Sequence, residues 1–287
     1  MMKSVKKHDR KRDERFAFAV IKALSLTTAL VLLLIIGYIT WNAIPALNWQ
    51  FVAGTPGDPL NTGIWPMAVN TLLLVVLTLA IALPLGILAA VYLKEYVREG
   101  PFVSVVRSAT ENLAGMPSII FGLFGLVFFG KMLGLGWSLA NGTLTASIII
   151  LPTIMRTTEE ALKSVPQSYR EGSLALGATR WQTVKKVVLV SAFPGIMSGS
   201  MLAIGRVVGE TAALMFTLGS SDRVATSLMD SGRTLAMHLY MLAHEGLSVE
   251  GAFATAFVLV VVVLAVNVTA EMLANRALGR GGRQIGR

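Results

Sequence analysis

The sequence predicts an all-α integral membrane protein of six transmembrane helices, with one short helix in the cytoplasmic loop between spans four and five. Three observations point there. Fifty-four per cent of the 287 residues are apolar, and the charged residues gather in blocks between long uncharged runs instead of recurring at helical spacing. Lys and Arg crowd alternate connections, as they do on the cytoplasmic side of membrane proteins. The strict alternation of an outer-membrane barrel is absent, and runs such as residues 72–84 read as helix.

Residues 1–15 form a basic cytoplasmic tail, followed by a membrane domain over 16–278 and a Gly-Arg-rich tail over 279–287 that reads as disordered. The expected spans are 16–41, 65–93, 104–129, 139–155, 187–218 and 252–273. The first lacks a small-residue cleavage site after a short apolar core, so it is expected to be a retained anchor. Eight basic residues precede or open it (Lys3, Lys6, Lys7, Arg10, Lys11, Arg12, Arg15, Lys22). Lys94, Arg98 and Arg107 are read as lying between spans two and three, and six more fill the loop over 156–186. Both termini are therefore expected inside a multi-pass protein of the cell membrane, and an even span count is required.

Span three carries Glu111 and Asn112 just ahead of Gly115-Met116-Pro117-Ser118. Proline frees a backbone carbonyl there, so a kink facing the protein interior is expected, with Ser118 either serving the kink or donating to a ligand. Pro84 and Pro152 are expected to kink spans two and four. Arg206 and Glu210 stand four apart in an otherwise apolar fifth span, which would put them on one helical face. Buried charge in a bilayer is expensive, so the pair reads either as a transport pathway or as a structural salt bridge. Arg156, ending span four, is either a cytoplasmic anchor or part of the same path.

The loop between spans four and five carries two capping boxes, Ser168 with Glu171 and Thr179 with Gln182, and Gly177 sits where a left-handed cap would end the first helix. A helix over 169–176 follows, with Gly172, Ser173 and Ala175 leaving room for another surface. A solvated loop with ordinary caps is the alternative. On the opposite side, 42–64 is polar and turn-rich around Pro56-Gly57-Asp58-Pro59, and a short surface helix is expected over 234–244. Trp41, Trp49, Trp65 and Trp137 read as interfacial anchors.

Several classes are excluded. With no cysteine there is no disulfide, Cys-ligated zinc or thiol nucleophile. His238 and His244, six apart, do not share a helical face, so no metal site is expected. The net charge of +9 flanks membrane spans without a recognition motif and gives no reason to expect nucleic-acid binding. No Gly-x-x-x-x-Gly-Lys-Ser/Thr loop occurs, so the chain is expected to have no ATPase site of its own.

The segment Glu171-Gly172-Ser173 followed by Gly177 and then Val187-Val188-Leu189 resembles the EAA loop of binding-protein-dependent ABC importer permeases. It departs in Gly172-Ser173 for two alanines and in Val190 for a closing proline. Residues 113–125, Arg156-Thr157-Thr158-Glu159-Glu160-Ala161-Leu162 and Ala203 to Ala212 narrow the resemblance to the PstA-type permease of phosphate importers. The resemblance implies a heteromeric complex: a second homologous permease subunit, two ATPase subunits that bind ATP-Mg, an extracytoplasmic phosphate-binding protein, and surrounding lipid. No cofactor is expected on this chain. It also implies a coupling helix that docks the ATPase through Ser168, Tyr169, Arg170, Glu171, Gly172, Ser173, Leu174, Ala175 and Gly177. The phosphate path would use Arg206, Glu210, Arg156, Ser118, Glu111, Asn112 and Thr211. A permease for sulfate or molybdate, the sister phosphate permease, and a stand-alone ion-coupled carrier with Glu210 as its proton site stay open at this point.

Overall fold

The computed structural model describes residues 2–55 and 63–285, with side chains described over 16–55 and 63–272. The turn-rich stretch around Pro56-Gly57-Asp58-Pro59 and the side chains of both tails lie outside these residues. Among the described residues the chain is helical throughout its regular structure, with no strand. In chain order the helices are α1 (Met2–Ala43), α2 (Trp49–Ala53), α3 (Trp65–Val91), α4 (Pro101–Gly115), α5 (Ser118–Gly125), α6 (Leu139–Ser164), α7 (Gln167–Ala175), α8 (Arg180–Thr183), α9 (Leu189–Val208), α10 (Ala212–Thr217), α11 (Leu235–His244) and α12 (Val249–Ile285). Three π-helical stretches join or extend them: Tyr92–Tyr96 after α3, Leu126–Met132 after α5, and Val184–Val188 between α8 and α9.

Among the described residues, five helical runs are long and apolar enough to cross a bilayer: Phe16–Ala43, Trp65–Tyr96, Leu139–Ser164, Arg180–Val208 and Val249–Met272. The sixth is not the continuous span expected over 104–129. It is a broken pair, Pro101–Gly115 and Ser118–Met132, bent by 98°. Pro117 has no N–H and disfavours helical backbone at Met116, whose ψ is 140°, so one apolar run becomes two helices pointing in different directions. Pro84 and Pro152, by contrast, lie inside helices that continue past them.

The expected fifth span also divides. Helix α9 stops at Val208, Gly209 closes it, and after Glu210 and Thr211 the chain restarts as α10. The surface helix expected over 234–244 is present as α11, with the Thr234 hydroxyl accepting from the Met237 N–H.

Helices α3, α6 and α9 form the centre. Leu74 and Ala82 from α3, Ile149, Ile150 and Ile154 from α6, and Ala203, Ile204 and Val207 from α9 meet Phe121, Leu214 and Leu218 in one buried cluster. Small residues let the broken segments close on this centre. A Cβ on Gly122 would lie 2.7 Å from the Ala213 Cα, so only glycine lets α5 and α10 approach so closely. A second cluster (Val91, Leu162, Val165, Val184, Val188, Ile196) seals the end rich in Lys and Arg, hereafter the basic end. A third (Ala43, Phe51, Met67, Leu235, Ala254) seals the far end. Helix α1 touches the rest along α12, for example through an edge-on Tyr38–Phe253 pair at 5.6 Å, and its remaining apolar surface is exposed. That exposure suits a helix whose solvent is lipid.

Candidate substrate path and docking helix

The break between α9 and α10 changes the expected relation of Arg206 and Glu210. They do not share a continuous helical face, and no ion pair joins them among the described residues. Glu210 is buried, and its Oε1 accepts from the backbone N–H groups of Thr211 and Ala213, both at 3.2 Å. The carboxylate therefore caps α10, satisfying donors that a helix start inside a membrane would leave orphaned. Thr211 turns its hydroxyl back to the Gly209 carbonyl at 3.3 Å.

Arg206 occupies the last turn of α9 and donates from Nη1 to the Thr153 hydroxyl of α6 at 3.4 Å, a long contact for a guanidinium. Thr153 is the fifteenth residue of the 26-residue α6, so this cation stands near mid-span, roughly 21 Å from the far end of that helix at 1.5 Å per residue.

Helices α5 and α10 pack in parallel: Gly122 meets Ala213, and Gly125 meets Thr217. Their N-termini therefore point toward the same end of the bundle. Ser118 is the first residue of α5, half-buried, and its hydroxyl makes no hydrogen bond among the described residues, so it does not serve the kink. Pro117 offers α5 no side-chain cap. The α10 N-terminus is closed by Glu210, and that of α5 stays free.

Glu111 and Arg156 come together elsewhere. With Arg107, Glu159, Glu160 and Lys163 they line a cleft of about 120 Å³ between α4 and the basic end of α6. Its charges are largely spent on one another. Arg107 reaches Glu159 (Nε to Oε1, 2.8 Å) and Glu99 (2.8 Å), Lys163 reaches Glu159 (2.7 Å), and Arg156 reaches Glu160 (3.2 Å). Glu99, outside the spans, is held below the usual carboxylate range chiefly by its hydrogen bond from Arg107. Asn112 is exposed, and neither Arg206 nor Glu210 lines this cleft.

Helix α7 realises the loop helix expected from sequence, two residues earlier at its start. Pro166 takes the N-cap position, so Ser168 lies inside the helix and its capping box with Glu171 does not form. The second box does: Thr179 and Gln182 exchange side-chain bonds at 3.3 and 2.9 Å at the start of α8. Gly177 has φ of +84° and ends α7 in the left-handed region. Tyr169, Leu174 and Leu176 are exposed, Leu176 to 91%, and nothing lies within 4 Å of the space a Gly172 side chain would enter.

Sequence reasoning missed what holds α7 in place. Arg170 is nearly buried and bonds Glu95, at the π-helical end of α3, through Nη2 at 2.7 Å and Nε at 3.2 Å. It also donates to the Val165 and Leu162 carbonyls at 2.8 and 2.9 Å. On the other side, the hydroxyls of Ser173 and Thr183 meet at 2.9 Å. A lone acid at the end of span two was the available signal. Its partner 75 residues away had none.

At the far end, Asn70 of α3 grips the 220–234 segment, donating to the Arg223 carbonyl and accepting from the Ala225 N–H, both at 2.9 Å. Arg233 donates to the Ser220 carbonyl at 2.7 Å and to His238 Nδ1 at 3.3 Å. A guanidinium has no acceptor, so Nδ1 accepts and His238 is neutral with its proton on Nε2. Burial first, and the Arg233 charge second, push this imidazole down to about 4.

Residues 82–279 match the family described as binding-protein-dependent transport system inner membrane component. The chain belongs to this family. Among curated relatives, it is 32% identical over 282 residues to a probable ABC transporter permease protein, YqgI, of Bacillus subtilis, covering 92% of this chain and 96% of that one. It is 31% identical to the phosphate transport system permease protein PstA of Pasteurella multocida, covering 80% and 83%, and 31% identical to PstA 1 of Mycobacterium tuberculosis H37Rv, covering 81% and 77%. Two solved structures share the permease fold. They are the inward-facing MetNI methionine ABC transporter (TM-score 0.60, 22% identity, 80% of this chain and 96% of that one) and a bacterial alginate ABC transporter in complex with a pentasaccharide-bound periplasmic protein (TM-score 0.66, 16% identity, 90% and 95%). As a family member, the chain is a multi-pass inner membrane component of a transport system.

Proposed function

We propose that this permease is the PstA-type subunit of an ATP-driven importer of inorganic phosphate, pairing with a second permease chain over two ATPase subunits. Its termini would lie on the cytoplasmic side of the cell membrane, and phosphate would arrive from an extracytoplasmic binding protein. The carrying observation is the relatedness, over about four-fifths of the chain, to permeases named for phosphate transport.

The geometry supports an anion path. Arg206, near mid-span, is held only by a long contact to a hydroxyl, so its planar donors remain available for phosphate oxygens. The uncapped N-terminus of α5, with the free Ser118 hydroxyl, adds positive dipole and a donor, as broken helices do in transporters for anionic groups. Glu210 caps α10 with Oε1, which leaves Oε2 to accept a hydrogen bond from the O–H that phosphate carries near neutral pH and sulfate lacks. Arg156 and Glu111, in the cleft at the basic end, would form the inner mouth, with Asn112 at its exposed edge and Thr211 lining the break. The exposed face of α7, from Ser168 to Gly177, would receive the ATPase, which supplies ATP-Mg chemistry that this chain has no motif for.

Reconstituted complex tests both parts. Phosphate uptake should require ATP, resist excess sulfate and molybdate, and fall at least ~100-fold in Arg206→Gln at unchanged assembly, as expected for a lost charge-assisted contact of about 3 kcal/mol. Uptake that persists without ATP would show an ion-coupled carrier instead. Competition by sulfate would reassign the substrate.

A further inference from the structure

We propose that the cleft behind α7 binds a phosphate-bearing anion, presented either as an anionic phospholipid headgroup or as free phosphate. This cleft, of about 420 Å³, lies at the basic end where α3, α6 and α8 terminate or begin, and it is lined by Lys94, Glu95, Lys163, Arg170 and Arg180. Four cations thus face one carboxylate. Glu95 is committed to Arg170, and Lys163 to Glu159. Lys94 and Arg180 enter no ion pair among the described residues.

Arg180 is nonetheless held in place. Its guanidinium lies 5.3 Å from the centroid of the Tyr96 ring, a contact that fixes the group without neutralising it. A positioned guanidinium and an uncommitted ammonium lining one cleft are the donor set that phosphate oxygens take, the first by planar bidentate bonds and the second as a point charge. The cleft lies at the charged ends of the apolar helical runs Trp65–Tyr96 and Leu139–Ser164, and basic pockets between helix ends on the cytoplasmic side attract phosphate-bearing lipids. Because α7 forms one wall through Arg170, an occupant would touch the element that carries the docking face. The site is separate from Arg206 and does not depend on what the permease imports.

Acetylation of Lys94, followed by peptide mass spectrometry on the assembled complex, tests this directly. Exposed Lys185 and Lys186 at the same end serve as internal controls. In vesicles of phosphatidylcholine mixed with phosphatidylglycerol, or in phosphatidylcholine with inorganic phosphate added, labelling of Lys94 should slow at least ~5-fold relative to the controls. The Arg180→Ala variant should lose that protection. Protection by phosphatidylglycerol alone assigns a headgroup site, and protection by inorganic phosphate alone assigns a free-phosphate site. No protection by either, or protection undiminished in Arg180→Ala, overturns the proposal. Because Lys94 labelling is read without transport, its failure is distinguishable from failure of the phosphate-import reading.

Discussion

Arg170 is the residue whose loss should free α7. Its guanidinium makes two bonds to the nearly buried Glu95 and two to the carbonyls of Leu162 and Val165 at the end of α6. Arg170→Ala strands Glu95 without a partner and returns both carbonyls to whatever water can reach them. Breaking a buried pair from one side costs about 3–5 kcal/mol, because the remaining charge is left uncompensated. Applied to the local equilibrium between seated and released α7, even ~3 kcal/mol raises the released population by roughly two orders of magnitude. Amide hydrogen exchange over residues 166–178 in the assembled complex should accelerate by about that factor, with α6 ahead of Leu162 unaffected. Replacing both partners, Glu95→Leu with Arg170→Met, removes the unpaired charge and should recover most of the protection. Unchanged exchange in Arg170→Ala, or no recovery in the double variant, would refute the assignment of Arg170 as the pin.

Other consequences are open to measurement. Glu210→Gln keeps a carbonyl oxygen to cap α10, so thermal stability should change by less than ~1 kcal/mol, whereas Glu210→Ala should cost about 1 kcal/mol. If Glu210 also recognises protonated phosphate, the Gln variant should lose discrimination against sulfate in uptake assays. A Cβ on Gly125 would overlap Thr145 and Thr217, so Gly125→Val should lower the detergent melting temperature through overpacking worth at least ~1–3 kcal/mol. His238, depressed to about 4 in the folded protein, is set against roughly 6.5 when unfolded. Between those values the unfolded chain binds the proton that the folded chain refuses. Stability is therefore complete above pH ~6.5 and falls with decreasing pH, by about 3 kcal/mol at pH 4. The fall should flatten in His238→Gln when melting is followed against pH.

The spans were legible because each is an apolar run bounded by charge, and the bilayer demands little else of a helix. What such a run does not encode is direction. Residues 113–130 are apolar or small on both sides of Pro117, and nothing in that pattern distinguishes a kink from a 98° bend. The spacing of Arg206 and Glu210 misled for a related reason: four residues mean a shared face only if the helix continues, and Gly209 ends it. Glu210 ahead of Thr211-Ala212-Ala213 is itself a helix-start arrangement, a signal that the apolar context masked. Around α7 the Thr179 box and Gly177 were correctly placed because capping is local chemistry. Ser168 failed as a cap because Pro166 starts the helix two residues sooner.

Helix α7 is joined to the rest of the molecule at points where the spans depart from regular α-helix. Glu95 lies in the π-helical end of α3, and the Ser173–Thr183 bond meets the chain just before the π-helical stretch that leads into α9. A π segment bonds i to i+5, is rare, and often falls at functional sites. Helices α3, α6 and α9, to which α7 is tied directly or through these segments, are the three that form the central cluster. Thr153 on α6 and Arg206 on α9 meet across that same centre. A displacement of α7 would therefore reach the helices that carry Thr153 and Arg206, which meet through one long polar contact. In this arrangement the proposed docking face and the proposed anion path would be linked by contiguous contacts, with Arg170 as the stiff joint and Arg206 as the free end.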